Sequence, residues 1–300
     1  PLERYNVNIL AEGWKNIHYS EHFWSGEDSP KSCIICLHGS YQTCHTWDDF
    51  SDQLFERTKS YRLICPDLRG HGDSDHFETY NLEDYVQDLV ELIKCISNTY
   101  GGEEIIIIGM SLGGLVTLSS LIGELQVCPT HIVIVDITPD QLQTGAESIQ
   151  AAVKESQILD SFEAFVEWAH KYNPNRSIES LKSRLEHSLK QLPDGKWTWK
   201  YDPKISVSRT GTQGEILKNN MWQKLHKIST KTKNVLILRG ELSQIAQEES
   251  FVRMKNILDG AGCNVQVKTI NNAGHSIQGD NPVEFTNQVL QFITERRSRI

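Results

Sequence analysis

The sequence is short of positive charge. Its 30 Lys and Arg are outnumbered by 39 Asp and Glu, giving a formal net charge of −9 at pH 7. Such a chain lacks the basic face that a nucleic-acid binder presents, so no nucleic-acid partner is expected. The balance leaves room for a small anionic substrate, because a local field can differ in sign from the total. No apolar run approaches the roughly 20 residues of a membrane-spanning helix, so no membrane insertion is expected. The opening PLERYNVNIL lacks the charged-then-apolar pattern of a leader peptide. Repeats, low-complexity tracts and flexible linkers are also missing. The seven cysteines (Cys33, Cys36, Cys44, Cys65, Cys95, Cys128 and Cys263) give an odd number, and several lie in apolar runs. They read as reduced, buried thiols, which suits a cytoplasmic protein better than a disulfide framework. Cys33 and Cys36 form a C-x-x-C inside a strand-like run, where positions three apart face opposite ways, so a metal or redox pair is not expected there.

What is present is ordinary in amount and informative in order. Hydrophobic residues make up 38% and charged residues 23%, as in a globular chain, and 300 residues suit one large domain or two small ones. Short, nearly all-apolar runs (CIICLH at 33–38, YRLICPD at 61–67, EIIIIG at 104–109, HIVIVD at 131–136, NVLILRG at 234–240) read as strands buried on both faces, the mark of a parallel sheet. NVQVKTI at 264–270 adds one more. Helical patterns fall between them at 83–99, 112–124, 214–228, 248–259 and 282–297. The alternation predicts right-handed crossovers in a layered α/β architecture. The first segment, YNVNILAEGWKNIHYSEHFW, suits an antiparallel hairpin at one edge. From Pro139 to about residue 212 the rhythm stops. No strand run is visible there and helical stretches dominate, too long for a plain connection, so a helical insertion over the sheet is expected.

Three motifs carry chemistry. IIIIGMSLGGLV contains Gly109-Met110-Ser111-Leu112-Gly113, a G-x-S-x-G between an apolar strand and a helix. A sharp strand-to-helix turn strains the serine and needs glycines on both sides to avoid clashes. Its hydroxyl then stands at the carboxyl edge of the sheet, at the positive end of the next helix. The bland alternative is a glycine-rich turn used only for packing. CLHGSYQTCHTWDDF supplies an H-G turn after the third strand. INNAGHSIQGDNPVEF puts His275 on a loop after the last strand, where it can swing over Ser111 as general base, or be merely a solvated surface histidine. In CPDLRGHGDSD, His71, Asp73, Asp75 and His76 lie close together in the chain. We read that stretch as a turn whose Asp67 and Arg69 brace neighbouring loops, rather than as a metal site; no metal and no cofactor is expected.

Taken in order, HGS, DLRGHGDS, GMSLGG, VDITP, LRGELS and AGHS resemble the α/β-hydrolase superfamily, specifically its cap-bearing serine hydrolases, over nearly the whole chain. NPNRSIESLKSRLEHSLKQLPDGKWTWKYDP is similar to the cap of a subgroup with an N-P-x-R segment and a D-G-x-W-T-W-x-Y-D-P ending. The resemblance implies an α/β-hydrolase fold: a mostly parallel central sheet flanked by helices, with a helical cap inserted after the sixth strand. The core would span 1–138 and 213–300 and the cap 139–212. It further implies a catalytic Ser111 and His275, with the backbone N–H groups of Ser40 and Leu112 as oxyanion donors, each worth several kcal/mol at such sites (about 2.7–4).

The acid is the point of departure. The subgroup carries R-G-x-x-S-D after the seventh strand, and this chain reads Arg239-Gly240-Glu241-Leu242-Ser243-Gln244. Three answers stay open. Asp136 in VIVDITP ends the sixth strand, where some superfamily members place the acid, although VDIxP also occurs in relatives that keep the later aspartate. Gln244 could accept through its side-chain carbonyl, orienting the ring but stabilising the cation poorly. Glu241, Glu248 or Glu249 could reach in after a loop shift, and an engineered residue at 244 is a further alternative.

The leading expectation is a hydrolase of a carboxylic ester or lactone of a mainly apolar small molecule, with carbon–carbon bond hydrolysis not separable from it. Trp47, Met110, Trp168 and Trp197 are the candidate pocket residues, with Phe162, Phe165 and Trp199 as further aromatic groups of the cap; each could equally serve the cap's own core. Two other classes remain: a lyase or isomerase using His275 as base, and a ligand-binding receptor with little turnover.

Overall fold

The computed structural model describes residues 2–10, 15–25, 30–123, 128–140, 151–174, 176–207 and 212–295. An eight-stranded sheet is built from β1 (Leu2–Leu10), β2 (Asn16–Trp24), β3 (Ser32–Leu37), β4 (Tyr61–Pro66), β5 (Glu104–Met110), β6 (His131–Val135), β10 (Asn234–Gly240) and β11 (Asn264–Ile270), in the order β1-β2-β4-β3-β5-β6-β10-β11. The first two strands form an antiparallel hairpin at one edge, and β2 meets β4 antiparallel. From β4 to β11 every pairing is parallel. Those strands therefore all end at the same edge, and the loops that leave them meet there.

The apolar runs divide their side chains strictly between the two faces. Cys33, Ile35, Ile105, Ile107, Ile132, Ile134, Val235 and Ile237 enter one core, with α2 (Leu82–Tyr100), α3 (Leu112–Ile122) and α7 (Glu248–Gly260). Ile34, Cys36, Ile106, Ile108, Val133, Val135, Leu236 and Leu238 enter the other, with α1 (Asp48–Arg57), the short α8 (Ile277–Asp280) and α9 (Pro282–Thr294). A side-chain period of two does this when both faces are covered. Cys33 and Cys36 thus lie on opposite faces as free, buried thiols. Asn81 starts α2 through a reciprocal capping box with Asp84, and Asn281 caps α9 ahead of Pro282. Helix α1 was not among the helices expected from periodicity. It follows a single 3-10 turn at Cys44–Trp47, and its apolar residues Phe50, Leu54 and Phe55 are few.

The segment after β6 is not purely helical. It contains α4 (Phe162–Tyr172) and α5 (Ile178–Ser188), and also a second sheet of β7 (Ile158–Leu159), β8 (Leu189–Gln191) and β9 (Trp197–Trp199) in the order β7-β9-β8. Strands of two or three residues are too short to show a period in sequence, which is why none was expected. Ser161 and Ser177 cap the two helices. Phe165, Val166, Ala169, Leu181, Leu185 and Leu189 form a small core of their own, against which Trp168, Trp197 and Trp199 pack. The start of the expected helix AESIQAAVKESQIL, through residue 150, lies outside the described residues. The chain returns to the main sheet through α6 (Thr212–Lys224). Among the described residues no helix is long and apolar enough to cross a membrane.

One buried histidine makes the fold acid-sensitive. His22 on β2 shares a 2.7 Å hydrogen bond with Ser51 of α1. Burial, and then Arg4, pull its pKa from 6.5 down to about 4. As the pH falls below 6.5 the unfolded chain therefore takes up this proton first, and the stability present above 6.5 is lost as the pH approaches 4. We expect guanidinium unfolding to show a loss on the order of 3 kcal/mol from His22 over that window, and a shallower pH slope in His22→Gln. Identical slopes in the two proteins would contradict this.

Candidate active site

Strand β5 runs between β3 and β6, and the residue that follows it, Ser111, sits at φ 52° and ψ −113°. A non-glycine residue held there costs of order 1–3 kcal/mol and persists only where its surroundings enforce it. The enforcement is visible. Ser111 N–H donates to the Val135 carbonyl (3.1 Å) and Gly113 N–H to the His38 carbonyl (3.1 Å), tying the turn to both neighbouring strands. The glycines allow this closeness. A Cβ on Gly113 would lie 2.2 Å from the Leu37 carbonyl oxygen, and one on Gly109 would lie 2.4 Å from the Gly113 carbonyl oxygen.

The H-G turn after β3 lies against the serine. A Cβ on Gly39 would lie 3.2 Å from Ser111 Cβ. His38 is fully buried behind it, with Nδ1 2.7 Å from the Gly39 carbonyl and Nε2 2.9 Å from the Leu68 N–H. Leu68 N–H can only donate, so His38 is neutral with its proton on Nδ1; burial pushes its pKa down in the same sense. Gln42 bridges outward, accepting from Gly39 N–H (3.0 Å) and donating to Ser276 Oγ (3.1 Å). Among the described residues the backbone N–H groups of Ser40 and Leu112 have no protein partner. Leu112 directly follows the strained serine, and Ser40 follows Gly39, which packs against it.

Asp136 and His275 meet. The His275 ring Nδ1 lies 2.7 Å from Asp136 Oδ2, although the two residues are 139 apart in sequence. Asp136 is 1% exposed and follows β6 at φ 52°. Its Oδ1 accepts from Gly240 N–H at 2.9 Å, and its Oδ2 also accepts a short hydrogen bond from the Ser243 hydroxyl. Gln244, by contrast, is exposed and makes no hydrogen bond to the ring. Glu241 accepts from Asn272 N–H, and Glu248 pairs with Arg239, so neither reaches His275. Glu249 lies exposed in the first turn of α7 and makes no hydrogen bond to the ring either. Ser111 and His275 share no direct hydrogen bond in this structure; such bonds are often long in a free enzyme and tighten around substrate.

Beside His275 lies a cavity of about 820 Å³, lined by Ser40, Gln42 and His275 of the main body and by Trp168, Leu185 and Trp199 of the segment after β6; Ser111, Leu112 and Asp136 are not on its wall. Of the pocket residues expected from sequence, Trp168 is on its wall and Trp47, Met110 and Trp197 are not. Trp47 turns inward from the 3-10 segment and packs on Phe50 and Phe285. Met110 is the last residue of β5 and points into the core beneath the sheet. Trp197 lies against Phe162, while Trp199, on the same face of β9, reaches Trp168 and the cavity. Trp199, one of the cap aromatics expected from sequence, is on the wall, whereas Ser243 and Gln42 were not expected as wall or support residues. Only the serine of LRGELS, already part of the resemblance, offered a hint.

The DLRGHGDSD stretch braces loops. Asp67 accepts from Cys44 N–H (2.7 Å) and Asp73 N–H (3.0 Å) and pairs with His18. Burial opposes its charge, but the His18 hydrogen bond and the N–H groups of Asp73 and Cys44 outweigh it and bring its pKa to about 2. Arg69 makes a two-pronged contact with Asp88. His71, Asp73, Asp75 and His76 do not converge: they face the Arg69 carbonyl, Lys200, Asn16 and the Lys200 carbonyl respectively. Among the described residues two other trios bring ligand-type atoms within 4.8 Å, His18–Cys44–Asp67 and His45–Asp48–His187. In the first, burial holds the Cys44 thiol protonated. In the second, the two imidazoles stack 3.5 Å apart at 11°, so their in-plane lone pairs do not point at one ion.

The sequence pattern of the Alpha/beta hydrolase family matches residues 34–289. The chain belongs to that family. Among its family relatives, an esterase of Mycobacterium tuberculosis, Rv0045c, is 28% identical over 283 residues, covering 89% of this chain and 84% of that protein. A 3-hydroxybutyrate-oligomer hydrolase of Cupriavidus necator is 26% identical, over 78% of this chain and 80% of that protein. In fold, the chain is similar to an alpha/beta hydrolase of Novosphingobium aromaticivorans, with a TM-score of 0.75 at 21% identity over 97% of this chain and 98% of the other.

The glycine at 113 gives a direct check on the turn. Gly113→Ala should cost about 2–3 kcal/mol in chemical denaturation, because backbone, not a movable side chain, blocks its Cβ. Gly260→Ala, which meets nothing within 4 Å, should be near neutral. Equal effects would mean that the close approach does not constrain the turn.

Proposed function

We propose that the protein is a serine hydrolase that cleaves a carboxylic ester, lactones included, of a mainly apolar small molecule through an acyl-enzyme on Ser111. The observation that carries this reading is the 2.7 Å contact between the His275 ring and the buried Asp136, at the edge of the sheet where Ser111 stands. The Ser111 hydroxyl attacks the ester carbonyl while His275 Nε2 takes its proton. Asp136 accepts from Nδ1, fixes the tautomer and stabilises the imidazolium. The Ser40 and Leu112 N–H groups hold the oxyanion, and the alcohol leaves with the proton from His275. Water, activated by the same histidine, then releases the acid. The segment from 151 to 207 serves as a cap whose Trp168 and Trp199 receive the apolar part of the substrate. The relative in M. tuberculosis is an esterase by name, which favours ester cleavage over the other chemistries of the fold.

A fluorophosphonate should label the protein at Ser111 and fail to label Ser111→Ala. A folded but unlabelled wild type would sink the proposal. Asp136→Asn should lower kcat by about 10⁴, the effect of giving a triad histidine an amide in place of its carboxylate. Gln244→Ala should stay within about twofold of wild type, since it removes no hydrogen bond to the ring. The reverse ranking in steady-state kinetics would move the acid to position 244.

A further inference from the structure

The cavity of a chain with net charge −9 carries more positive than negative charge. Arg176 and Arg184 lie on its wall, against one carboxylate, Asp280. Asp280 is already committed: Oδ1 pairs with Arg176 and Oδ2 accepts from Gly274 N–H at 2.9 Å. Arg176 also reaches the Ser276 carbonyl (3.4 Å), next to His275. Arg184, on α5, has Asp49 as its sole ion-pair partner among the described residues, at 2.9 Å. Asp49 belongs to α1, lies off the cavity wall and is 43% exposed, so solvent screens it. Only one of the five N–H donors of the Arg184 guanidinium is spent on the protein among the described residues. Its side chain is nonetheless 18% exposed, held flat against Gly279, where a Cβ would lie 2.2 Å from Nη2. Burial, and then the neighbouring Arg176, work against its charge. Two guanidinium groups crowded on one wall, one with unused donors, have the chemistry that receives an anion.

We infer that the Arg184 side of the cavity, with Arg176 beside it, is a carboxylate subsite, and that the preferred substrate is an ester whose acyl part bears a free carboxylate. This deepens the hydrolase reading and rests on that cavity being the substrate site. The apolar wall of Trp168 and Trp199 takes the carbon chain, and the guanidinium fork takes its charged end.

The test pairs two esters with acyl chains of equal length, mono-4-nitrophenyl glutarate and 4-nitrophenyl pentanoate. Wild type should favour the glutarate by about tenfold or more in kcat/KM, the scale of a charge-assisted hydrogen bond. Arg184→Gln should erase that preference, slowing the glutarate about tenfold more than the pentanoate. Arg184→Lys keeps the charge and should retain part of the preference. Asp49→Asn separates a bracing role from a binding one: it breaks the same ion pair, yet should keep or raise the preference. A parallel measurement is calorimetric binding of monoethyl glutarate to Ser111→Ala, expected to weaken about tenfold on adding Arg184→Gln. If neither ester is turned over but this binding is present and depends on Arg184, the hydrolase reading falls and the subsite stands. Equal kcat/KM for the two esters overturns the subsite. So does parallel loss with both esters in Arg184→Gln, or calorimetric binding that is absent or indifferent to Arg184.

Discussion

The carboxylate of Asp136 is the point on which the site depends. A buried, ionised carboxylate is costly unless its lone pairs are occupied by well-placed donors. Here three donors occupy them: the Gly240 N–H, the Ser243 hydroxyl and the His275 ring. They come from the ends of β10 and from the loop after β11, so one side chain at the end of β6 fastens three loops together. The arrangement holds the imidazole in place at the same time as it satisfies the acid, and neither could be kept without the other.

The sheet makes that meeting unavoidable. Parallel strands with both faces covered deliver all their carboxyl ends to one edge, and the ladder continues beyond the strands through Ser111 N–H to Val135 and Asp136 N–H to Leu238. Close backbone approach at Gly109 and Gly113 brings the serine turn within this lattice. Gln42 then spans from the H-G turn to Ser276, so the face that holds Ser40 and the loop that holds His275 are fixed relative to each other. Above them, the segment carrying α4 and α5 has its own apolar core and is fastened to the main body by ion pairs, Arg176 to Asp280 and Arg184 to Asp49. A roof joined by polar struts leaves room between the layers, and charge in the wall of that room.

Much of this was legible from residue types. The five apolar runs became the strands of the parallel body, because a strand buried twice over has no polar face to hide. G-x-S-x-G marked the serine, since only glycine permits the approach seen at 113. The aromatic residues were less legible. Trp47, in the H-G loop motif, turned into the core, and Trp199 rather than Trp197 reached the cavity. Bulk and polarity say that a tryptophan packs against apolar neighbours, but not against which ones. The short strands β7, β8 and β9 left no periodic trace for the same reason that they are short.

The sequence by itself determined the sheet, the serine turn and the histidine loop, because these rest on local periodicity and on glycines that no other residue can replace. It could not choose among Asp136, Gln244 and the nearby glutamates, all of which have a group able to accept an N–H. Which of them meets the ring was decided by tertiary structure. Strand order places β6 directly beside β10, so Asp136, which follows β6, meets the ring, while Gln244 lies exposed on the cavity wall without a hydrogen bond to it. A hydrogen bond depends on separations of a few tenths of an ångström, and such separations between distant parts of a chain exist only once the layers have packed.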